Sequence, residues 1–282
     1  MRAQRWTEVV THHGEGPAWD GRLDALRCVD MLAGDLLTIR AGELVGREHV
    51  GDVAAAWRPR AGGGWVVAVE RGFVLVDGDG RRQSVGPLWD DLDVRMNEGA
   101  CGPDGSFYCG SMHVDAVAGR GTLWRLGPDR STRRVIEGLS ISNGLVFTAD
   151  GSRAFFVDTP TRRLDVLELA EPGVVERRTV HVDLADVPGQ PDGIALDADG
   201  GLWVAMWGGG AVQHVEPDGS LGDVVEVGVS QPSAVCFGGP DLDHLYVTTS
   251  RFGLAAGSEP DAGAVFVASP GVRGAPLGEY AG

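Results

Sequence analysis

Asp199-Gly200-Gly201-Leu202-Trp203-Val204-Ala205, followed by Gly208-Gly209-Gly210 and the apolar run 211–215, is the stretch whose pattern decides the fold. It consists of an Asp-Gly turn, a short strand-like run, a Gly-rich break and a second run, which is how a hairpin in an antiparallel sheet reads. Comparable units recur along the chain. Their first apolar runs lie at residues 23–31, 65–69, 107–109, 154–157 and 245–247. The units start about 41 to 49 residues apart, the length of a four-stranded propeller blade. Six of them account for nearly all 282 residues. The pattern predicts an all-β, six-bladed β-propeller, with four-stranded blades around a central channel and residues 1–282 forming one domain. The run 8–11 is expected to pair with the C-terminal strands and close the ring.

Composition agrees with one large β domain. The chain has 44 Gly and 15 Pro with 43% apolar residues, enough for both many turns and a core. No 3.6-residue apolar stripe persists beyond about two turns. The net charge of −16 argues against a nucleic-acid partner, and all 24 basic residues are Arg. Cys28, Cys101, Cys109 and Cys236 lack CxxC spacing, so neither a zinc–thiolate site nor a disulfide framework is expected. No stretch reads as a signal region or a membrane span, and a cytoplasmic protein is expected, as a monomer or weak homo-oligomer.

Three oxygen-bearing residues sit at breaks far apart in the chain: Glu15 in Gly14-Glu15-Gly16-Pro17, Asn143 in Ser142-Asn143-Gly144 and Asp192 in Pro191-Asp192-Gly193. Each is read as the polar member of a turn that leads into an apolar run. A propeller sends equivalent loops of every blade to one end of its channel, so the three can become neighbours. Two carboxylates and an amide oxygen suit one hard or borderline divalent cation: Ca, Zn, Mn, Fe or Mg. His12 and His13 are read as polar loop residues, although His13 shares a face with Glu15 in an extended segment.

In order along the chain, Gly14-Glu15-Gly16-Pro17-Ala18-Trp19, Arg95-Met96-Asn97-Glu98-Gly99, Ile141-Ser142-Asn143-Gly144-Leu145, Pro191-Asp192-Gly193, Gly201-Leu202-Trp203-Val204-Ala205 and Cys236-Phe237-Gly238-Gly239 resemble the SMP-30/gluconolactonase/luciferin-regenerating-enzyme family, which includes regucalcin. The resemblance implies a metal-dependent hydrolase that opens a sugar lactone, such as a glucono-, xylono- or arabinonolactone, to the aldonic acid. It implies Glu15, Asn143 and Asp192 as metal ligands, Asp192 also as general base, and Arg95, Asn97 and Asp115 as substrate-binding residues. His113, at the start of a short loop, is a further pocket-lining candidate. Two departures from the family pattern stand out. Glu98 replaces the usual Asp, and Arg27 and Cys28 replace aromatics; Arg27 is read as a surface substitution on an outer strand. Three other functions remain open. The chain could be a divalent-cation-binding regulatory protein without turnover, another ester or phosphotriester hydrolase on the same fold, or a scaffold for protein partners. The pairing of Arg95 with Asn97 favours an enzyme, because a bare cation site has no use for them.

Overall fold

In the computed structural model, which describes residues 1–282, each of the six apolar runs singled out above is the second strand of a four-stranded antiparallel sheet. These strands are Ala25–Asp30, Trp65–Val69, Phe107–His113, Arg153–Asp158, Leu202–Trp207 and His244–Thr249. Each pairs with an innermost strand: Gly14–Asp20, Ala54–Pro59, Val94–Cys101, Ser142–Phe147, Gln190–Leu196 and Pro232–Gly238. Innermost strands of successive blades pack side by side around the channel of a six-bladed propeller. The only helical elements are two 3-10 turns, Met31–Ala33 and Thr159–Thr161.

All six innermost strands slip register against their neighbours near the end where they begin. In the third blade Met96 pairs with Ser111 and Gly99 with Cys109, which leaves Asn97 and Glu98 bulged. In the fourth, Asn143 and Gly144 lie between the paired Ser142 and Leu145; in the fifth, Asp192 and Gly193 lie between Pro191 and Ile194. In the first the shift falls between Glu15 and Ala18. A bulge frees its residues from the ladder and re-aims their side chains. The motifs read as turns are therefore bulges inside strands, and the glycines serve a different purpose from turning the chain. A Cβ on Gly144 would lie 2.5 Å from the carbonyl oxygen of Asp192, and one on Gly193 would lie 2.5 Å from the Cβ of Ala234. Glycine there lets neighbouring innermost strands meet at the axis.

The ring closes in the sixth blade, where Gln4–Arg5 adds the outermost strand to Phe266–Ala268. This corrects the expectation that residues 8–11 form the closing strand. Gln4 pairs with Val267 and Arg5 with Phe266, after which Trp6 turns inward to pack on Tyr246, with ring centroids 4.7 Å apart. The chain has left the sheet by residue 8; Val10 and Thr11 donate only to the Gly263 carbonyl, each at 3.1 Å.

The core lies between blades. Trp57 and Trp203 are among the largest fully buried side chains. Arg27 is also buried, contrary to its reading as a surface residue: its guanidinium carbon lies 4.7 Å from the Trp57 ring centroid, and its Nε donates to Thr38 Oγ1 at 3.1 Å. An arginine is held there because its planar cation stacks on the indole where two blades meet. All four cysteines are buried free thiols. At the far end of the channel the C-terminal segment crosses the mouth. Ala275, Tyr280 and Ala281 donate backbone N–H groups to Leu196, Pro59 and Gly105, and the buried Tyr280 hydroxyl donates to the Gly127 carbonyl at 2.9 Å. No helix is long and apolar enough to cross a membrane.

Deleting residues 1–11 removes the closing strand and bares the edge of Phe266–Ala268, an invitation to strand pairing between chains. The truncated protein should melt at least roughly 5 °C lower, as expected for a loss of a few kcal/mol in a domain of this size, and should form larger species in size-exclusion chromatography. An unchanged melting point and elution volume would contradict this account of closure.

Candidate functional site

Glu15, Asn97, Asn143 and Asp192 all lie near the start of their innermost strands, at the channel end opposite the C-terminal strap, and all four are buried. The approaches to these strands are pinned from the second strands. Asp30 Oδ1 accepts the N–H groups of His12 and His13, each at 3.0 Å, and Asp158 Oδ1 accepts that of Ile141 at 2.9 Å. In the second blade Glu70 accepts the N–H groups of Asp52 and Val53 in the same way. An acid at the end of the second strand thus fixes where the innermost strand of the same blade begins.

The three predicted ligands each present an oxygen with no protein partner: Glu15 Oε2, Asn143 Oδ1 and Asp192 Oδ1 are buried and accept no hydrogen bond. The assignment at Asn143 follows from its neighbour. Thr159 Oγ1 donates to the Pro191 carbonyl at 2.9 Å, so it can only accept from Asn143 Nδ2, 3.1 Å away. That turns the amide oxygen toward the open side. Buried acceptors left bare are rare in proteins and point to a missing partner.

The electrostatics point the same way. Burial, then the charges of Asp192 and Glu98, push the Glu15 carboxyl well above the usual range. Burial and the charge of Glu98 do the same to Asp192, partly offset by the Asn143 amide and the Gly193 N–H. Glu98 is itself raised by burial, against Arg58 and the Gly99 N–H; its Oε1 accepts that N–H at 2.9 Å and lies 4.0 Å from Arg58, while Oε2 is bare. Three carboxylates thus share this region with two guanidinium groups, the buried Arg58 and the half-buried Arg95. The sequence marked Glu98 only as a departure from pattern. Its charge acts on residues of other blades, a relation that no local motif carries.

The pair expected to bind substrate is built as a unit. One terminal nitrogen of Arg95, Nη1, donates to Asn97 Oδ1 and to the Met96 carbonyl, both at 2.9 Å, and contacts Met31 Sδ at 3.2 Å. Asn97 Nδ2 donates to the Ser142 carbonyl at 3.0 Å. Asn97 therefore braces Arg95 against the fourth blade, and the second terminal nitrogen and Nε of Arg95 carry no bonds to the protein. Asp115 is not brought into this cluster. It is exposed on the loop after Phe107–His113, with its N–H directed to His113 Nδ1 at 3.1 Å. His13, read as a polar loop residue, is instead buried here with Nε2 4.0 Å from Glu15 Oε1. Burial, then Arg95 and His12, lower its pKa to about 3, so the ring is neutral.

The residues fit a divalent cation. Two carboxylates and a neutral amide supply three hard oxygens and leave positions for water and substrate. No group of three or more His, Cys, Asp or Glu side chains gathers closely enough to hold a metal by itself.

Residues 13–251 match the SMP-30/Gluconolactonase/LRE-like region, and the chain belongs to that family. It is 35% identical over 258 residues to the pentonolactonase XacC of Haloferax volcanii, covering 89% of this chain and 86% of that one. It is 31% identical to regucalcin of Danio rerio, over 95% of both chains. A regucalcin from Agrobacterium tumefaciens, described as a calcium-binding protein, superimposes with a TM-score of 0.91 at 26% identity, over 99% of this chain and 97% of the other.

Without a cation, Glu15→Gln removes one of several mutually repelling buried carboxylates. In chelator the variant should melt no lower than wild type, whereas saturating divalent cation should raise the wild-type melting point more than the variant's, because binding to the folded state alone stabilises it. Melting curves indifferent to chelator and to cation in both proteins would count against the site.

Proposed function

We propose that this chain hydrolyses a sugar lactone to its aldonic acid, with one divalent cation held by Glu15, Asn143 and Asp192. The observation that carries the reading is the set of three buried, unpartnered oxygens, one of them on Glu15 near Arg95, whose remaining donors are free. The name of the pentonolactonase relative supports a five-carbon aldonolactone, such as a xylono- or arabinonolactone, with a gluconolactone as the six-carbon alternative. Ca, Zn, Mn, Fe and Mg all suit the oxygen donors.

A cation bound there would act as a Lewis acid toward the lactone carbonyl and lower the pKa of a nearby water. In this reading Asp192 takes the proton as that water adds to the carbonyl carbon. When the tetrahedral carbon collapses, the ring C–O bond breaks and the departing oxygen takes a proton back from Asp192, leaving the open acid. Arg95 donates to the substrate's oxygens, in the plane set by Asn97. Asp115 and His113 reach the substrate from the rim, if the lactone carries a substituent long enough to meet them.

A second reading, cation binding without turnover, draws on the calcium binding named for the Agrobacterium tumefaciens regucalcin. The two diverge at Arg95: an arginine braced by a dedicated asparagine, with donors to spare, serves a ligand other than the cation. The direct test is a panel of five- and six-membered aldonolactones assayed with metal-stripped protein and single metals added back. Hydrolysis restored by one or more metals is expected, and no hydrolysis of any lactone under any metal would favour the binding reading. Asp192→Asn keeps an oxygen donor but loses the base. It should retain cation binding while kcat falls by roughly 100- to 10,000-fold; near wild-type turnover at saturating metal would remove Asp192 as base.

A further inference from the structure

His13 has no role in the chemistry above, yet its ring is fixed from every side. Its N–H donates to Asp30 Oδ1 at 3.0 Å, and its carbonyl accepts from the Met31 N–H at 2.9 Å. The imidazole lies between Trp207, edge-on with centroids 5.7 Å apart, and Phe252, tilted at 5.8 Å. One ring nitrogen, Nδ1, is 2.7 Å from Ser250 Oγ; the other, Nε2, faces Glu15 Oε1 at 4.0 Å. A bridge between His13 and Ser250 ties the start of the first blade to the sixth.

The hydrogen-bond inventory decides which nitrogen carries the proton. Ser250 is fully buried, and its Oγ already accepts the Phe252 N–H at 3.0 Å. Nδ1 is the one acceptor within reach of the Ser250 hydroxyl proton, and a buried hydroxyl that fails to donate loses a hydrogen bond it cannot replace with water. Ser250 therefore donates to Nδ1, and the neutral ring keeps its proton on Nε2, pointing at Glu15. At 4.0 Å the two atoms are not yet hydrogen-bonded; such contacts are commonly long in an unliganded site and tighten once a ligand draws the carboxylate into place. The glutamate's two oxygens thus differ: Oε1 faces a donor, while Oε2 is bare.

We infer that His13 is the positioning residue of Glu15: in the order Ser250–His13–Glu15, its Nε2–H engages Oε1 and presents Oε2 to the cation. This inference rests on the cation site proposed above. Outer groups of this kind orient a ligand, and their loss typically weakens metal binding by about 10- to 100-fold.

The test uses the full chain. Mn²⁺ affinity is measured by calorimetry for wild type, His13→Leu and His13→Gln, and the His13 ring nitrogens of the wild type are assigned by 15N–1H correlation in chelator. Glutamine can place an N–H close to where Nε2 lies; leucine fills space without one. The inference expects an Nε2–H tautomer, an affinity loss of about tenfold or more in His13→Leu, and recovery to within about threefold of wild type in His13→Gln. An Nδ1–H tautomer would overturn it, since a bare Nε2 would then be free to ligate the cation itself. Equal affinity in His13→Leu and wild type, or equal loss in both variants, would also overturn it, by reducing the ring to packing, while leaving the three-ligand site standing. Failure of the wild type to bind Mn²⁺, by contrast, would bring down the site and this inference together. If His13→Leu fails to fold, the tautomer and His13→Gln still decide.

Discussion

Glu15, Glu98 and Asp192 are buried together at one end of a channel, and two guanidinium groups do not balance three ionised carboxylates. Burial makes each of these charges costly, and each makes its neighbours costlier. Protonation or a bound cation can relieve that. Bare oxygens on Glu15, Asn143 and Asp192 favour the cation, because a proton satisfies one oxygen at a time while a cation satisfies several.

The fold supplies this arrangement through one repeated irregularity. Regular innermost strands would alternate their side chains between neighbouring blades and pair every residue in the ladder. In the third, fourth and fifth blades the register slip near the start of the strand interrupts that alternation at a polar residue, while glycine after Asn143 and Asp192 keeps adjacent strands close together. Thr159 and Asp158, from the neighbouring strand, then fix Asn143 and the chain that leads to it, and Asn97 ties the strand of Arg95 to the fourth blade. The functional groups stand on sheet and not on mobile loops. Asp115, which lies on such a loop, is the expected site residue left outside the buried group.

The sequence showed the blades because their second strands are apolar on both faces: every residue of Trp65–Val69 is buried between neighbours, so the run reads as a strand without alternation. Innermost strands were harder to see. Ala54-Ala55-Ala56 is too small to look like a strand, and the bulges destroy the period of two, so Glu15, Asn143 and Asp192 looked like turn residues even where their convergence was anticipated. The two-residue closing strand Gln4–Arg5 is too short to carry any pattern, which left residues 8–11 as the more strand-like choice. Glu98 and His13 were missed as members of the site for a related reason. Their significance lies in contacts with Asp192, Arg58 and Ser250, remote in sequence, although the two-residue spacing of His13 and Glu15 did signal a shared face.

The most direct measurement of the central claim, that the bulged strands bring three oxygens to one cation, is an anomalous difference map from crystals soaked in Mn²⁺. The account predicts one strong peak at the channel mouth within metal–oxygen bonding distance, about 2.0–2.6 Å, of Glu15, Asn143 and Asp192. A map with no peak there, or with a peak that one of the three side chains does not reach, would contradict it.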